Sequence, residues 1–147
     1  MRIDKPELSW LEDPEVFRVN RLDAHSDHVF FESEDTMRSQ EKTLYQSLNG
    51  SWRFLWSAIP EARPKNFYEE DFNDSAFYPI EVPGHIQLQA CGQIQYVNTM
   101  YPWDGRSAIR PPKTDPLDAE VGSYVKCFRL NESLRGKRVC ISFQGVE

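Results

Sequence analysis

The sequence predicts an all-β fold, part of an antiparallel β-sandwich of jelly-roll type with an extended amino-terminal arm. Three observations carry this. Short stretches with strand character occur at Trp52–Trp56, Ile80–Val82, Ser123–Leu130 and Val139–Phe143. The connections between them are long and broken by prolines, of which the chain has 10. No segment repeats apolar residues convincingly at the three-to-four spacing of an amphipathic helix. A jelly roll has about eight strands, so roughly half of one is present. The sheet calls for further strands after Glu147, and the chain reads as a piece of a longer protein.

Residues 1–46 are expected to form the arm and a polar linker, and residues 47–147 a partial domain. Trp10 to Phe31 has no sustained period and suits an arm laid over a surface. Ser33 to Ser47 is charged, with Met37 and Leu44 its only aliphatic residues, so it reads as loop or as a short solvated helix. Asn49-Gly50 is a turn dipeptide. After it Trp52, Phe54 and Trp56 alternate with Ser51, Arg53 and Leu55, which makes a strand with one aromatic face. Pro60 to Ala76 reads as loop with one short helical turn after Asn73. Ile80 to Val82 is a brief strand ended by Pro83-Gly84, and His85 stands at the start of a short helix. Pro102, Pro111, Pro112 and Pro116 exclude regular structure from residues 102–122. The last two strands are joined by a turn at Leu134 to Lys137. Val139, Ile141 and Phe143 are expected on a buried face, which an unpaired edge would leave exposed.

Composition narrows the function. Hydrophobic residues make up 39% of the 147 and aromatics 13%, enough apolar surface for a core. The net charge of −6 excludes a basic stripe, so nucleic acid and anionic membrane are poor partners and a neutral or small ligand is left. Met1 to Trp10 carries Arg2, Asp4, Lys5 and Glu7 where a secretory signal needs an apolar core, and no stretch has the length of a membrane span. Cys91, Cys127 and Cys140 are odd in number and irregularly spaced, as suits reduced thiols in the cytoplasm. The N-x-S sequons at Asn49, Asn73 and Asn131 are therefore expected to be silent.

The chemistry concentrates in YVNTMYPWDG, Tyr96 to Gly105. This is an aromatic loop around one uncharged hydrogen-bonding side chain, Asn98, which suits a neutral sugar; such an asparagine equally serves to support a turn. Trp103 has the choice of stacking on the apolar face of a sugar ring or anchoring the loop by packing. Tyr96 and Tyr101 are expected to pin the loop. Glu69, Glu70 and Asp71 are adjacent, so their side chains point apart and read as a solvated run rather than a catalytic pair. No catalytic residue is assigned. His25 and His28 flank Asp27 but lack further ligands, so they read as arm residues held by hydrogen bonds, and no metal site is assigned.

The motifs SLNGSWRF (Ser47–Phe54), DFNDSAF followed by IEVPG (Ile80–Gly84), QYVNTMYP (Gln95–Pro102), GSYVKCFRL (Gly122–Leu130) and ISFQGVE occur in the order found in glycoside hydrolase family 2. From about Trp10 onward the chain resembles the amino-terminal sugar-binding domain of that family's β-galactosidases, and the arm NRLDAHSDH (Asn20–His28) is similar to the leader of the bacterial enzymes. The resemblance implies a large retaining glycosidase acting on terminal β-D-galactose, as in lactose. Its catalytic glutamates would lie downstream in a (β/α)-barrel, and this segment alone would be inactive. It implies that Asn98 reaches into the barrel's active site and contacts the galactosyl group. Trp103 and Asp104 belong to the form of the motif that continues PWDG, where family members differ. The resemblance further implies magnesium, often with sodium, bound outside this stretch. The implied partners are a β-galactoside, the remaining domains, and an oligomer or a complex of large and small subunits. A stand-alone carbohydrate-binding module and a subunit-assembly module are the alternatives; a closed sandwich would favour the first of these.

Overall fold

A computed structural model of the chain describes residues 7–26, 28–89, 91–92 and 120–145. Its regular structure is one antiparallel sheet with strands in the order β2-β1-β3, where β1 is Gly50–Ser57, β2 is Tyr78–Val82 and β3 is Val121–Val125. The all-β class expected from the sequence is what the structure holds, as an open three-stranded sheet. Helical structure among the described residues is limited to α1 (Glu34–Arg38) and single 3-10 turns. None of these helices is long and apolar enough to cross a membrane.

The strand predicted after Asn49-Gly50 is the central one. Gly50 starts it at φ 105, a left-handed conformation in which a side chain is strained. Trp52 lies opposite Ile80, and Phe54 lies opposite Tyr78 on one side and Tyr124 on the other. The period of two thus gathers Trp52, Phe54, Trp56, Ile80, Val82 and Tyr124 on one face. Phe54 is fully buried, and Ile80 and Cys91 complete the core, with Trp52, Trp56, Val82 and Ile86 packed around it.

On the opposite face Arg53 holds the chain that leads into β2. Its Nε lies 2.7 Å from Asp74 Oδ2, and its Nη2 donates to the carbonyl oxygens of Asp74 and of Phe77, the latter at 3.2 Å. The one short helical turn expected after Asn73 is a single hydrogen-bonded turn in an otherwise irregular loop. Asn73 Oδ1 accepts from Ser75 N (3.1 Å), and Phe77 N donates to Asp74 O (2.9 Å). Side-chain capping and the Arg53 clamp satisfy the backbone as turns. A 3-10 turn also lies earlier in this loop, at Pro60–Ala62, with proline at its first position.

Gly122 faces Trp56 across the β1–β3 ladder. A Cβ there would stand 2.7 Å from Phe54 Cε2 and 3.0 Å from Tyr124 Cε2. Since the Phe54 ring is fully buried it has nowhere to retreat, and Gly122→Ala is expected to cost about 1–3 kcal/mol. A denaturant midpoint within error of the parent protein's would contradict this overpacking.

The chain divides into two compact units. The sheet belongs to residues 1–23 and 49–126, whereas residues 24–48 and 127–147 form the other. In that second unit α1 is short and has no buried residue, as its thin apolar stripe predicts. Ser33 caps it by accepting from Thr36 N (3.2 Å), while Thr36 Oγ1 accepts from Ser33 N (3.0 Å). Gln46 joins the two stretches of this unit: its Nε2 donates to Arg129 O (2.9 Å) and its Oε1 accepts from Asn131 N (2.8 Å). Ser133 Oγ donates to Thr43 O (2.6 Å).

Two of the four expected strands depart most from expectation. The strand expected at Ser123–Leu130 runs instead over Val121–Val125, and its ladder with β1 ends at Arg53 opposite Val125. Val139–Phe143, expected to be a strand, carries no ladder among the described residues. Val139, Ile141 and Phe143 are 48%, 60% and 61% exposed. Alternating side chains specify a face, but a strand also requires a neighbour for its backbone groups.

Candidate functional site

The aromatic face of the sheet carries the ends of the segment in which the sequence concentrates its chemistry. On the entry side, Tyr78–Val82 leads through the 3-10 turn Ile86–Gln89 to Cys91. The Gln89 amide imitates a strand partner: its Oε1 accepts from Glu81 N (2.8 Å) and its Nε2 donates to Glu81 O (3.0 Å). Cys91 N donates to Ile86 O (3.2 Å), and the Cys91 thiol, buried in the core, lies 2.9 Å from the Tyr78 hydroxyl. Gly92 follows at φ 69.

On the return side Glu120 precedes β3. Its Oε2 accepts a hydrogen bond from the Trp56 indole Nε1 at 3.3 Å. The same carboxylate lies so close to Gly92 that a Cβ on that glycine would overlap it. Residues 92 and 120 therefore meet beside Trp56.

Beneath this junction the rings interlock. Phe54 packs edge-on against Tyr78 (centroids 5.6 Å apart, 81°) and tilted against Tyr124 (4.7 Å, 56°). Trp52 meets Tyr124 edge-on at 6.4 Å, with the Lys126 ammonium 5.8 Å from the Trp52 ring centre. Burial of the phenol, then its bond to Cys91, pushes the Tyr78 pKa up to about 12. Burial, followed by the proximity of Cys91, raises Tyr124 as well. The neutral phenols are thus favoured by the fold. For Tyr78 this stabilisation is complete below the ordinary value of 10 and disappears as pH rises through about 12. Tyrosinate absorbance during an alkaline titration is expected to show a late-ionising phenol, and Cys91→Ala is expected to bring its midpoint down. An unchanged midpoint in that variant would remove Cys91 as a cause.

Asn98, Trp103, Asp104, Tyr96 and Tyr101 lie outside the described residues. Glu69, Glu70 and Asp71 are exposed in a series of turns, with Glu69 N donating to Asn66 O at 3.0 Å. The His25 and His28 rings stand 5.6 Å apart, edge to face, and His28 packs in the same way on Phe30 at 4.6 Å; its Nδ1 lies 3.0 Å from Ser26 O. Among the described residues no three His, Cys, Asp or Glu side chains converge.

Sequence reasoning overlooked Tyr78, Cys91, Gly92 and Glu120 as the elements that seat this segment. Only the spacing of Trp52, Phe54 and Trp56 hinted at an aromatic platform, and strand register then selects the residues that meet it.

Residues 45–147 match the family model for the sugar binding domain of glycosyl hydrolases family 2. The chain belongs to glycosyl hydrolase family 2. Within family 2 it is 51% identical over 145 residues to a β-galactosidase of Clostridium acetobutylicum, a match that covers 98% of this chain and 16% of that protein. It is 47% identical to a β-galactosidase large subunit of Leuconostoc lactis, covering 95% of this chain and 24% of the relative. It is 50% identical to a β-galactosidase of Halalkalibacterium halodurans, covering 95% and 14%. The chain thus spans a quarter or less of the length of these family 2 relatives.

Proposed function

We propose that this chain is the amino-terminal, sugar-contacting part of a cytoplasmic β-galactosidase that hydrolyses terminal non-reducing β-D-galactose residues, as in lactose. The observation that carries this reading is the identity of about half to proteins named β-galactosidase along nearly the whole chain. In a retaining glycosidase two carboxyl groups about 5 Å apart perform the chemistry. Those groups belong to the downstream barrel in this reading, and the segment by itself is inactive. Its contribution is a neutral one. The Asn98 amide both donates to and accepts from sugar hydroxyls without adding charge to a site already rich in carboxylates. Trp103 and Asp104 are secondary candidates for sugar contact, and magnesium and sodium are placed outside this segment.

A role in assembly coexists with this reading. Relatives in Leuconostoc lactis and Lactobacillus acidophilus are named as large subunits, which favours an interface with a second subunit as a further duty of the complete protein.

The experiment is hydrolysis by the complete polypeptide of matched aryl glycosides. A β-D-galactoside is expected to be preferred over the β-D-glucuronide and β-D-mannoside by at least about 100-fold in kcat/KM, since buried polar groups are left unpaired by the wrong sugar. A preference for either competitor would overturn the galactoside assignment. Hydrolysis of none would favour the binding or assembly module.

A further inference from the structure

Gln89 takes no part in the sugar-contact reading, yet its amide is bonded to β2 as a neighbouring strand would be. We propose that Gln89 is a guard on the outer edge of the sheet, an intramolecular contact that occupies the edge of β2 and keeps the same edge of a second copy of this chain from pairing with it.

Among the described residues β2 is an end strand of the sheet, so one row of its backbone groups has no strand beside it. The bonds to Gln89 identify that row. Glu81 N donates to Gln89 Oε1 (2.8 Å) and Glu81 O accepts from Gln89 Nε2 (3.0 Å), so both groups of Glu81 point away from β1. Backbone groups alternate in direction along a strand, which places Pro79 and Pro83 on the same outward row and Ile80, opposite Trp52, on the inward one. Proline has no N–H, so of residues 79, 81 and 83 only Glu81 brings a donor to the edge, and Gln89 takes it. A primary amide carries the donor and the acceptor of a peptide group, which is why it can stand in for a strand. Gly84 makes room for it: a Cβ there would stand 2.7 Å from Gln89 Nε2 and 2.9 Å from Glu81 O. Behind the amide, the turn Ile86–Gln89 is tied to the core by Cys91 N, which donates to Ile86 O at 3.2 Å. Without Gln89 the exposed N–H and C=O of Glu81 would match the same pair on another copy, and two such edges close around a two-fold axis.

The test uses Gln89→Ala and Gly84→Ala in the complete polypeptide, with the mass followed by sedimentation over a range of concentrations. The first removes the amide, and the second displaces it by crowding. The parent is expected to keep one mass. Both variants are expected to gain mass with concentration, by at least about twofold where two edges pair, while tryptophan fluorescence stays that of the folded parent. Adding Glu81→Pro removes the one donor on the edge and is expected to return both variants to the parent's mass. That change also removes the carboxylates that would face each other across a pair, so the loss of association is then due to the missing donor. Should Gln89→Ala lose the parental fluorescence, Gln89→Met, which retains the length of the side chain without its polar groups, is read in its place. A constant mass in the folded Gln89 variant would overturn the guard. Association that persists after Glu81→Pro would overturn it as well, since it would run through another surface.

Discussion

Replacing Phe54 by alanine is expected to destabilise the protein by about 3–5 kcal/mol, the largest effect expected of truncating any one side chain in the sheet's core. Phe54 is the one large side chain fully buried among the described residues. It is also the point at which three elements meet: Tyr78 of β2 and Tyr124 of β3 pack on its two sides, and Ile80 and Cys91 close the cluster. The cavity left by truncation cannot be filled from β3, because Gly122 has no side chain, nor readily by the tyrosines, whose positions are fixed by the ladder. Against a total stability of about 5–15 kcal/mol for a typical domain, such a loss removes a large share. Urea unfolding of the complete polypeptide, followed by tryptophan fluorescence from Trp52 and Trp56, reads it directly. A midpoint close to that of the parent would mean that the interlocked rings are not the core of this unit. Phe54→Leu, which retains much of the apolar volume, is expected to recover most of the loss.

Asn98→Ala is expected to lower kcat/KM on β-D-galactosides by roughly 5- to 150-fold, corresponding to about 1–3 kcal/mol for a buried polar contact to the sugar. In this reading thermal unfolding and assembly should be unaffected, since the amide serves the sugar and not the packing of the sheet. Asn98→Asp is expected to be worse than alanine, because it introduces a negative charge beside the carboxyl pair that a retaining enzyme requires. Parental kinetics in Asn98→Ala would return this residue to the role of turn former. A loss of stability in step with activity would do the same, since it would show that the amide holds the loop together and not the sugar.

The strands that could be read from the sequence are those whose signal is local. Trp52, Phe54 and Trp56 alternate strictly behind a turn dipeptide, and this pattern is sufficient to specify β1 and its buried face. Pro83-Gly84 ends β2 where expected, and α1 is as short and solvated as its composition implies. Val139, Ile141 and Phe143 show the same alternation, yet no ladder forms there among the described residues. A pattern of side chains cannot supply the neighbouring strand. The turn expected after Asn73 is fixed from a distance: Arg53, on β1, holds Asp74 and Phe77 there.

Function divides along the same line. The sequence by itself determined the all-β class, the central aromatic strand, the net negative charge and the family to which the ordered motifs point. Those properties reside in residue type, local order and periodicity. Only the tertiary structure decided that Gly122 makes room for Phe54, that Cys91 meets Tyr78, and that Gly92 and Glu120 come together beside Trp56. Each of these pairs residues far apart in the chain, and their meeting is set by strand register and close packing.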